Sequence, residues 1–553
     1  MTHRNPVTAL DTHEVTNQPP PFVDQNLFLQ DLALREALAA AGAASLEKPL
    51  AGFGALCGSS ETHTWARQAN ESPPRLMAFD RYGQRLDEIE FHPAYHQLMA
   101  LGLDHGIAAH PWHAGSDTGH LQHGAMMILL NQVDAGVTCP MSMSYASMAA
   151  LQAEPDIYQH WHRKLTASRY DPRFIPPGEK HSVTIGMAMT EKQGGSDVRA
   201  NTTRAMPTAD GAWLLSGHKW FCSAPMSDAF LTLANTEAGI TCFLVPRWRP
   251  GDQRNGIRIM RLKDKMGDRS NASSEIEYHD AWAQRIGAEG RGIATILAMV
   301  QLTRYDCVLG STGGMRAALT QAIWHTIHRR AFGKKLAEHA TMQAVLADLA
   351  LESEAATALA VRVGAAIQRA GTDEHEAAFA RLATPAAKFW ICKRQPGMVY
   401  EALECHGGAG YVEEGPMPRL FRQSPLNAIW EGSGNVIALD ILRCIAREPA
   451  SVDAVRTELQ SVDSDNRQYH AHLRSLQNEL DNRAGDERSA RHLAQQLALA
   501  LQAAALRRYA PDYVFEGFCT QRLKGARMGA FYGDLASAIL PDQIIERALP
   551  ADL

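Results

Sequence analysis

The chain has 553 residues, 45% of them hydrophobic and 21% charged, with a formal net charge of −6. That length exceeds what one hydrophobic core serves, and the composition excludes a disordered chain, a fibrous repeat and a coiled coil. A net negative charge gives no whole-molecule attraction to phosphate, so nucleic-acid contact would require a local basic patch.

In chain order, residues 1–30 are polar and broken by Pro19-Pro20-Pro21. They read as an extended surface arm of the kind that wraps a neighbouring subunit. Residues 31–181, with stretches such as LFLQDLALREALAAAGAASL, carry apolar positions at helical spacing and predict a helical domain. From 182 to 285 the character changes to short β-rich runs (VTIGMAMT, AFLTLANT, TCFLVPRW) separated by Gly, Asp and Pro, which predicts a small β domain. Residues 286–447 return to long amphipathic segments expected to pack as an antiparallel bundle. Residues 448–553, rich in Leu, Ala, Gln and Arg, predict a separate helical unit.

No apolar run approaches the roughly 20 residues that span a bilayer. The opening MTHRNPVTALDTHEV lacks the basic-then-apolar order of a signal peptide, so a cytoplasmic location is expected. The nine cysteines (57, 139, 222, 242, 307, 392, 405, 444 and 519) include no C-x-x-C and read as reduced, buried thiols. His110, His113, His120 and His123 match no zinc spacing; they read as a polar loop, and no metal site is expected.

Five motifs could carry chemistry. Met189-Thr190-Glu191-Lys192-Gln193-Gly194-Gly195-Ser196-Asp197 sets hydroxyls beside a Gly-Gly turn, where backbone can approach a ligand closely. Gly217-His218-Lys219-Trp220-Phe221-Cys222-Ser223 reads as a strand presenting aromatic rings and a hydroxyl. Arg329-Arg330-Ala331-Phe332-Gly333-Lys334 offers guanidinium groups, whose forked donors suit phosphate. Glu404-Cys405-His406-Gly407-Gly408-Ala409-Gly410-Tyr411 is a glycine cluster, and Ile429-Trp430-Glu431-Gly432-Ser433-Gly434-Asn435 places a carboxylate before a glycine. Taken singly, these are an ordinary turn, a core strand, a solvated helix face, a loop and a helix cap.

Taken together and in this order, they resemble the signatures of the acyl-CoA dehydrogenase superfamily. The resemblance implies an α+β multidomain fold: an N-terminal helical domain, a central β domain, a C-terminal helical bundle and here an extra C-terminal helical domain. It implies FAD, contacted by Met189, Thr190, Gly195 and Ser196 and by Phe221, Cys222 and Ser223. Phe221 stands where the family has tryptophan, and Ser223 where it has threonine. Arg329 would meet the FAD pyrophosphate across a subunit interface, with Gly407, Gly408, Trp430, Gly432, Ser433 and Asn435 also at the cofactor. The family's Q-x-x-Q pattern is reduced to Ala340 and Gln343. Glu431 falls on the catalytic base, which removes the Cα proton of an acyl-CoA thioester while the Cβ hydride passes to the flavin. Some relatives take the base from the helix through Thr303, which has no acid to offer.

Further stretches resemble the alkylation-response AidB branch of that superfamily: Asn17-Gln18-Pro19-Pro20-Pro21, Ala135-Gly136-Val137-Thr138-Cys139-Pro140 and Pro385-Ala386-Ala387-Lys388-Phe389, besides the motifs around Glu191 and Glu431. This implies a homotetramer, weak activity on isovaleryl-CoA-like substrates, and double-stranded DNA binding through the C-terminal domain. A basic stripe of Arg507, Arg508, Arg522, Lys524 and Arg527 would carry the DNA contact. Residues 451–553 nevertheless hold twelve Arg or Lys against fourteen Asp or Glu, so a solvated tail is the competing reading. The alternatives are a conventional short- or branched-chain acyl-CoA dehydrogenase with no DNA role, and an inactive paralogue that keeps FAD as core filler.

Overall fold

The computed structural model describes residues 6–483, 486–523 and 539–549. In chain order its longer helices and strands are α1 (Leu32–Leu38), α2 (Glu47–Cys57), α3 (Ser60–Glu71), β1 (Arg75–Phe79), β2 (Arg85–Glu90), α4 (Pro93–Leu103), α5 (Gly119–Asn131), α6 (Thr138–Leu151) and α7 (Pro155–Leu165). There follow β3 (Ile185–Ala188), β4 (Arg204–Pro207), β5 (Trp213–Ser223), β6 (Ala229–Thr236), β7 (Gly239–Pro246), β8 (Trp248–Arg249), β9 (Gln253–Arg254), β10 (Ile257–Leu262) and β11 (Ser273–Ile286). The rest is mainly helical: α8 (Gly292–His328), α9 (Ala340–Arg369), α10 (Glu374–Glu404), α11 (Met417–Gln423), α12 (Gly434–Arg447), α13 (Pro449–Gln460), α14 (Arg467–Arg483), α15 (Ala490–Tyr509), α16 (Asp512–Arg522) and α17 (Pro541–Ala548). These elements form two compact units, one of residues 64–130 and 134–306, the other of 1–63, 131–133 and 307–553.

The first unit is built on a seven-stranded sheet in the order β10-β11-β5-β4-β6-β3, with β7 pairing both β11 and β6. Because β7 joins β6 to β11, strands β11, β5, β4, β6 and β7 close into a ring that leaves no free edge between them. Its core holds Leu215, Cys222, Phe230, Phe243, Val245, Ile276 and Tyr278. The region predicted as wholly helical also contains the hairpin β1–β2, whose turn is held by Asp80 accepting from the backbone N–H of Tyr82 and Gln84. Buried Asp87 of β2 accepts from Ile259 N, docking the hairpin on β10.

The second unit is helical. The arm lies along its own chain: Trp324 Nε1 donates to Pro20 O, Phe22 packs edge-on to Trp324, and Asn17 exchanges side-chain hydrogen bonds with the backbone of Arg330. The C-terminal helices, expected as a separate unit, belong to the bundle. The run LAQQLALALQAAAL of α15 is small and apolar on every face, so it requires cover all round, and it is buried from Leu493 to Leu506 almost throughout. Buried ion pairs join the tail to α9: Arg362 to Glu458, Arg547 to Glu354, and Arg522 to both Asp348 and Glu352. α8 is long and apolar enough, by length and composition, to cross a membrane, but most of its apolar stretch is buried in the protein.

Candidate active site

In the sheet unit, the first motif is a turn after β3, clamped to β5. Trp220 N donates to Thr190 O at 2.7 Å, and Lys192 N donates to His218 Nε2 at 3.1 Å. Beneath them Glu191 and Lys219 form an ion pair of 2.9 Å with both side chains fully buried. Glu191 also accepts from the backbone N–H and hydroxyl of Thr202 and from the hydroxyl of Thr203. Burial alone would push this carboxyl up; the Lys219 charge and these hydrogen bonds outweigh it and bring it down to about 2. A Cβ on Gly195 would sit 2.7 Å from Thr190 Oγ1, so the turn closes against Thr190 only with glycine there.

Along β5 the side chains alternate. Phe221 is 49% exposed, Cys222 is inside the barrel core, and Ser223 is part-buried, with its hydroxyl 3.3 Å from that of Ser273. The Cys222 side chain therefore leaves the face that Phe221 and Ser223 present, contrary to a side-chain role at the cofactor. Met189 and Thr190 are part-buried and Ser196 is exposed. An exposed Phe221 ring with the Lys263 ammonium 4.7 Å from its centroid and the Ser223 hydroxyl two residues on offers an apolar face and a polar edge of the kind a flavin has.

In the helical unit, Arg329 directly follows α8, and its Nη1 donates to Asn17 O at 2.6 Å. The following hairpin turns through Phe332 (φ 53) and Gly333 (φ 83), leaving Phe332 95% exposed. Gly407 and Gly408 are exposed in a short 3₁₀ segment, Gly407–Tyr411, and a Cβ on either would meet nothing within 4 Å. That open surface can accept a ligand edge. Gln343 donates to Asp542 at 3.1 Å.

The loop before α12 carries Glu431 at φ 56, a conformation that costs a non-glycine residue on the order of 1–3 kcal/mol. Trp430 Nε1 donates to Asn427 Oδ1 at 2.9 Å, and Gly432 continues the turn at φ 106. Lys388 of α10, buried, donates to the carbonyls of both Trp430 and Gly432. Ser433 precedes α12 as its N-cap residue, and Asn435 accepts from Arg491 Nη1 at 2.7 Å. Neither Lys388 nor Arg491 was singled out by sequence reasoning. Lys388 lies in the stretch Pro385–Phe389, but a lone lysine in a helix gives no sign that it faces a loop about forty residues on.

Of the four histidines, His113 is exposed in a loop as expected and His110 lies in a short turn before it, whereas His120 and His123 are on α5. His123 is buried on α5 between Ile107 O (2.6 Å) and Asp306 (2.9 Å), stacked on Tyr145, whose hydroxyl lies 2.7 Å from His120 Nδ1. Hydrogen-bond partners and ring stacking, rather than solvent, satisfy these polar atoms. Among the described residues no group of three or more His, Cys, Asp or Glu is arranged for a metal. Thr303 is buried, its hydroxyl bonded to Val300 O. In its described part the basic stripe is paired with acids: Arg507 and Arg508 remain partly exposed, and Arg522 is buried. Arg522 is buried on Asp348 and Glu352, Arg507 pairs with Asp512, and Arg508 with Glu458. Arg508 shares Glu458 with buried Arg362, and Lys524 and Arg527 lie outside the described residues.

Along the chain, a closed β ring falls between two helical segments. Family models agree: the AidB N-terminal domain matches residues 17–172, the acyl-CoA dehydrogenase middle domain 186–281 and its C-terminal domain 290–446. The chain is 44% identical over 510 residues to the putative acyl-CoA dehydrogenase AidB of Escherichia coli K12, covering 92% of this chain and 94% of that one. It is 31% identical to acyl-CoA dehydrogenase family member 11 of Caenorhabditis elegans, over 70% of this chain and 64% of the relative. The crystal structure of C. elegans ACDH-11 in complex with C11-CoA superposes with a TM-score of 0.83 at 25% identity, covering 96% of this chain and 98% of that one. The chain belongs to the acyl-CoA dehydrogenase family, in its AidB branch, and with that family is an FAD-dependent oxidoreductase.

Proposed function

We propose that the protein dehydrogenates an acyl-CoA thioester at Cα–Cβ, with Glu431 as the base. The observation that carries this is the conformation of the Glu431 loop: a non-glycine residue held at φ 56 and fastened on both sides by one buried lysine. Such backbone outliers persist where surrounding structure over-determines them, and they cluster at active sites. Glu431 takes the Cα proton; bound FAD would supply the acceptor for the Cβ hydride, so that the product is a 2-enoyl thioester. Phe221 would back a flavin ring and Thr190, Ser196 and Ser223 would meet its polar edge; by the family resemblance Arg329 would meet a pyrophosphate across a subunit interface, with Gly407 and Gly408 at a cofactor edge.

The substrate reading is a short or branched acyl-CoA turned over slowly, isovaleryl-CoA being the reference compound; the C11 thioester held by the worm relative sets the longer alternative. Working assembly as a homotetramer belongs to the same proposal. A DNA role in the alkylation response rests on the branch alone, because Arg507, Arg508 and Arg522 are committed to carboxylates. The test is an anaerobic titration with isovaleryl-CoA and with a C11 acyl-CoA, following flavin bleaching in wild type and in Glu431→Gln. Bleaching that the substitution slows by about 10²–10⁴-fold is expected of a lost general base. Equal bleaching in both proteins would remove Glu431 from the chemistry.

A further inference from the structure

We infer that Lys388 is the positioning residue for Glu431, and that its ammonium sets the loop geometry on which proton removal depends. The inference rests on Glu431 being the base. Lys388 is 1% exposed on α10, and its Nζ donates to Trp430 O at 2.9 Å and to Gly432 O. A lysine carries three donors and no acceptor, so it can hold two carbonyls at once. The two carbonyls belong to the residues on either side of Glu431, and both reach one nitrogen with Glu431 at φ 56 and Gly432 at φ 106. Without the lysine these acceptors lose that donor, and an extended Glu431 becomes the cheaper conformation.

The rest of the loop is held independently. Trp430 N donates to Leu426 O at 3.2 Å, its ring nitrogen donates to Asn427, and Asn435 is bonded to Arg491 after α12 has begun. Those contacts fix the ends of the segment, while Lys388 fixes the carbonyls on either side of Glu431. The role is geometric: Lys388 touches backbone, and its loss acts through the carboxylate it orients.

The test uses FAD-loaded wild type, Lys388→Met, which removes the donors, and Lys388→Gln, which keeps two N–H groups without the charge. Lys388→Met is expected to lower the rate constant for flavin reduction about 100-fold, the scale of a misplaced catalytic group, with thioester affinity held within about threefold. Lys388→Gln is expected to recover about tenfold of that loss. Amide hydrogen exchange, measured with and without FAD, is expected to quicken at residues 430–433 and stay unchanged in the β ring. A Lys388→Met protein with wild-type rate, or one whose affinity falls in step with its rate, overturns the inference. Should Lys388→Met fail to hold FAD, exchange in Lys388→Gln decides: faster exchange confined to 430–433 supports the role, and unchanged exchange overturns it. Should wild type itself reduce no flavin, the Glu431 assignment fails, and the exchange comparison still judges Lys388.

Discussion

Glu191 and Lys219 lie 2.9 Å apart with no solvent exposure on either side chain, and their ion pair ties the Gly-Gly turn after β3 to the strand that presents Phe221. Removing one partner of such a pair leaves an uncompensated buried charge, which costs about 3–5 kcal/mol. Glu191→Ala is therefore expected to lower unfolding stability by that order and to weaken FAD retention. Urea unfolding together with flavin release on dilution checks both, and unchanged retention would show that the clamp does not shape the cofactor face.

The same pair sets an acid limit. The folded Glu191 carboxyl lies at about 2, below its ordinary value of 4.5, so its contribution is complete above pH 4.5 and is lost as pH falls from 4.5 toward 2. Flavin release followed across that window is expected to accelerate as pH falls in wild type, and less steeply in Glu191→Gln.

Gly195→Ala brings a Cβ to 2.7 Å from Thr190 Oγ1 and 2.9 Å from its Cγ2. Thr190 has to rotate, and FAD affinity is expected to fall about tenfold, equivalent to about 1.4 kcal/mol, by titration of the apoprotein. An unaltered dissociation constant would mean Thr190 is not a flavin contact.

Glu431→Gly removes the side chain from a position at φ 56. Glycine takes that conformation without a Cβ penalty, so the variant is expected to be as stable as wild type within about 1 kcal/mol while reducing no flavin. Thermal unfolding measured beside the anaerobic titration separates the two properties.

A chain truncated after residue 448 lacks α13 to α17 and leaves Arg362 without Glu458 and Glu354 without Arg547. It is expected to be recovered unfolded or insoluble. A soluble, yellow product with the full-length melting temperature would restore the view of the tail as an independent domain.

The sequence made the β ring, the bundle and the cofactor motifs legible because each depends on local spacing: alternation in β5, helical stripes, and glycines next to polar residues. Glu431 was legible as a carboxylate in a motif, but not its positive φ. What escaped depends on partners far along the chain. Lys219 meets Glu191 across 28 residues, Lys388 meets Trp430 across 42, and Arg522 meets Glu352 across 170. Counting along residues 451–553 gives twelve basic against fourteen acidic side chains, but only the fold shows which acids pair with Arg507, Arg508 and Arg522. The β1–β2 hairpin was hidden because Asp87 and Arg85, polar residues in a strand, find their partners on β10.

All nine cysteines are free and buried, and burial pushes the thiols of Cys222, Cys242 and Cys405 up to about 12. Almost none of their sulfur is thiolate at neutral pH, and electrophiles attack the thiolate. With all nine thiols buried, the native fold is expected to react slowly with maleimides and alkyl halides. A single cysteine placed at an exposed position such as Phe332 would become the one fast-reacting thiol, giving a spectroscopic handle without stripping the nine native residues from the core.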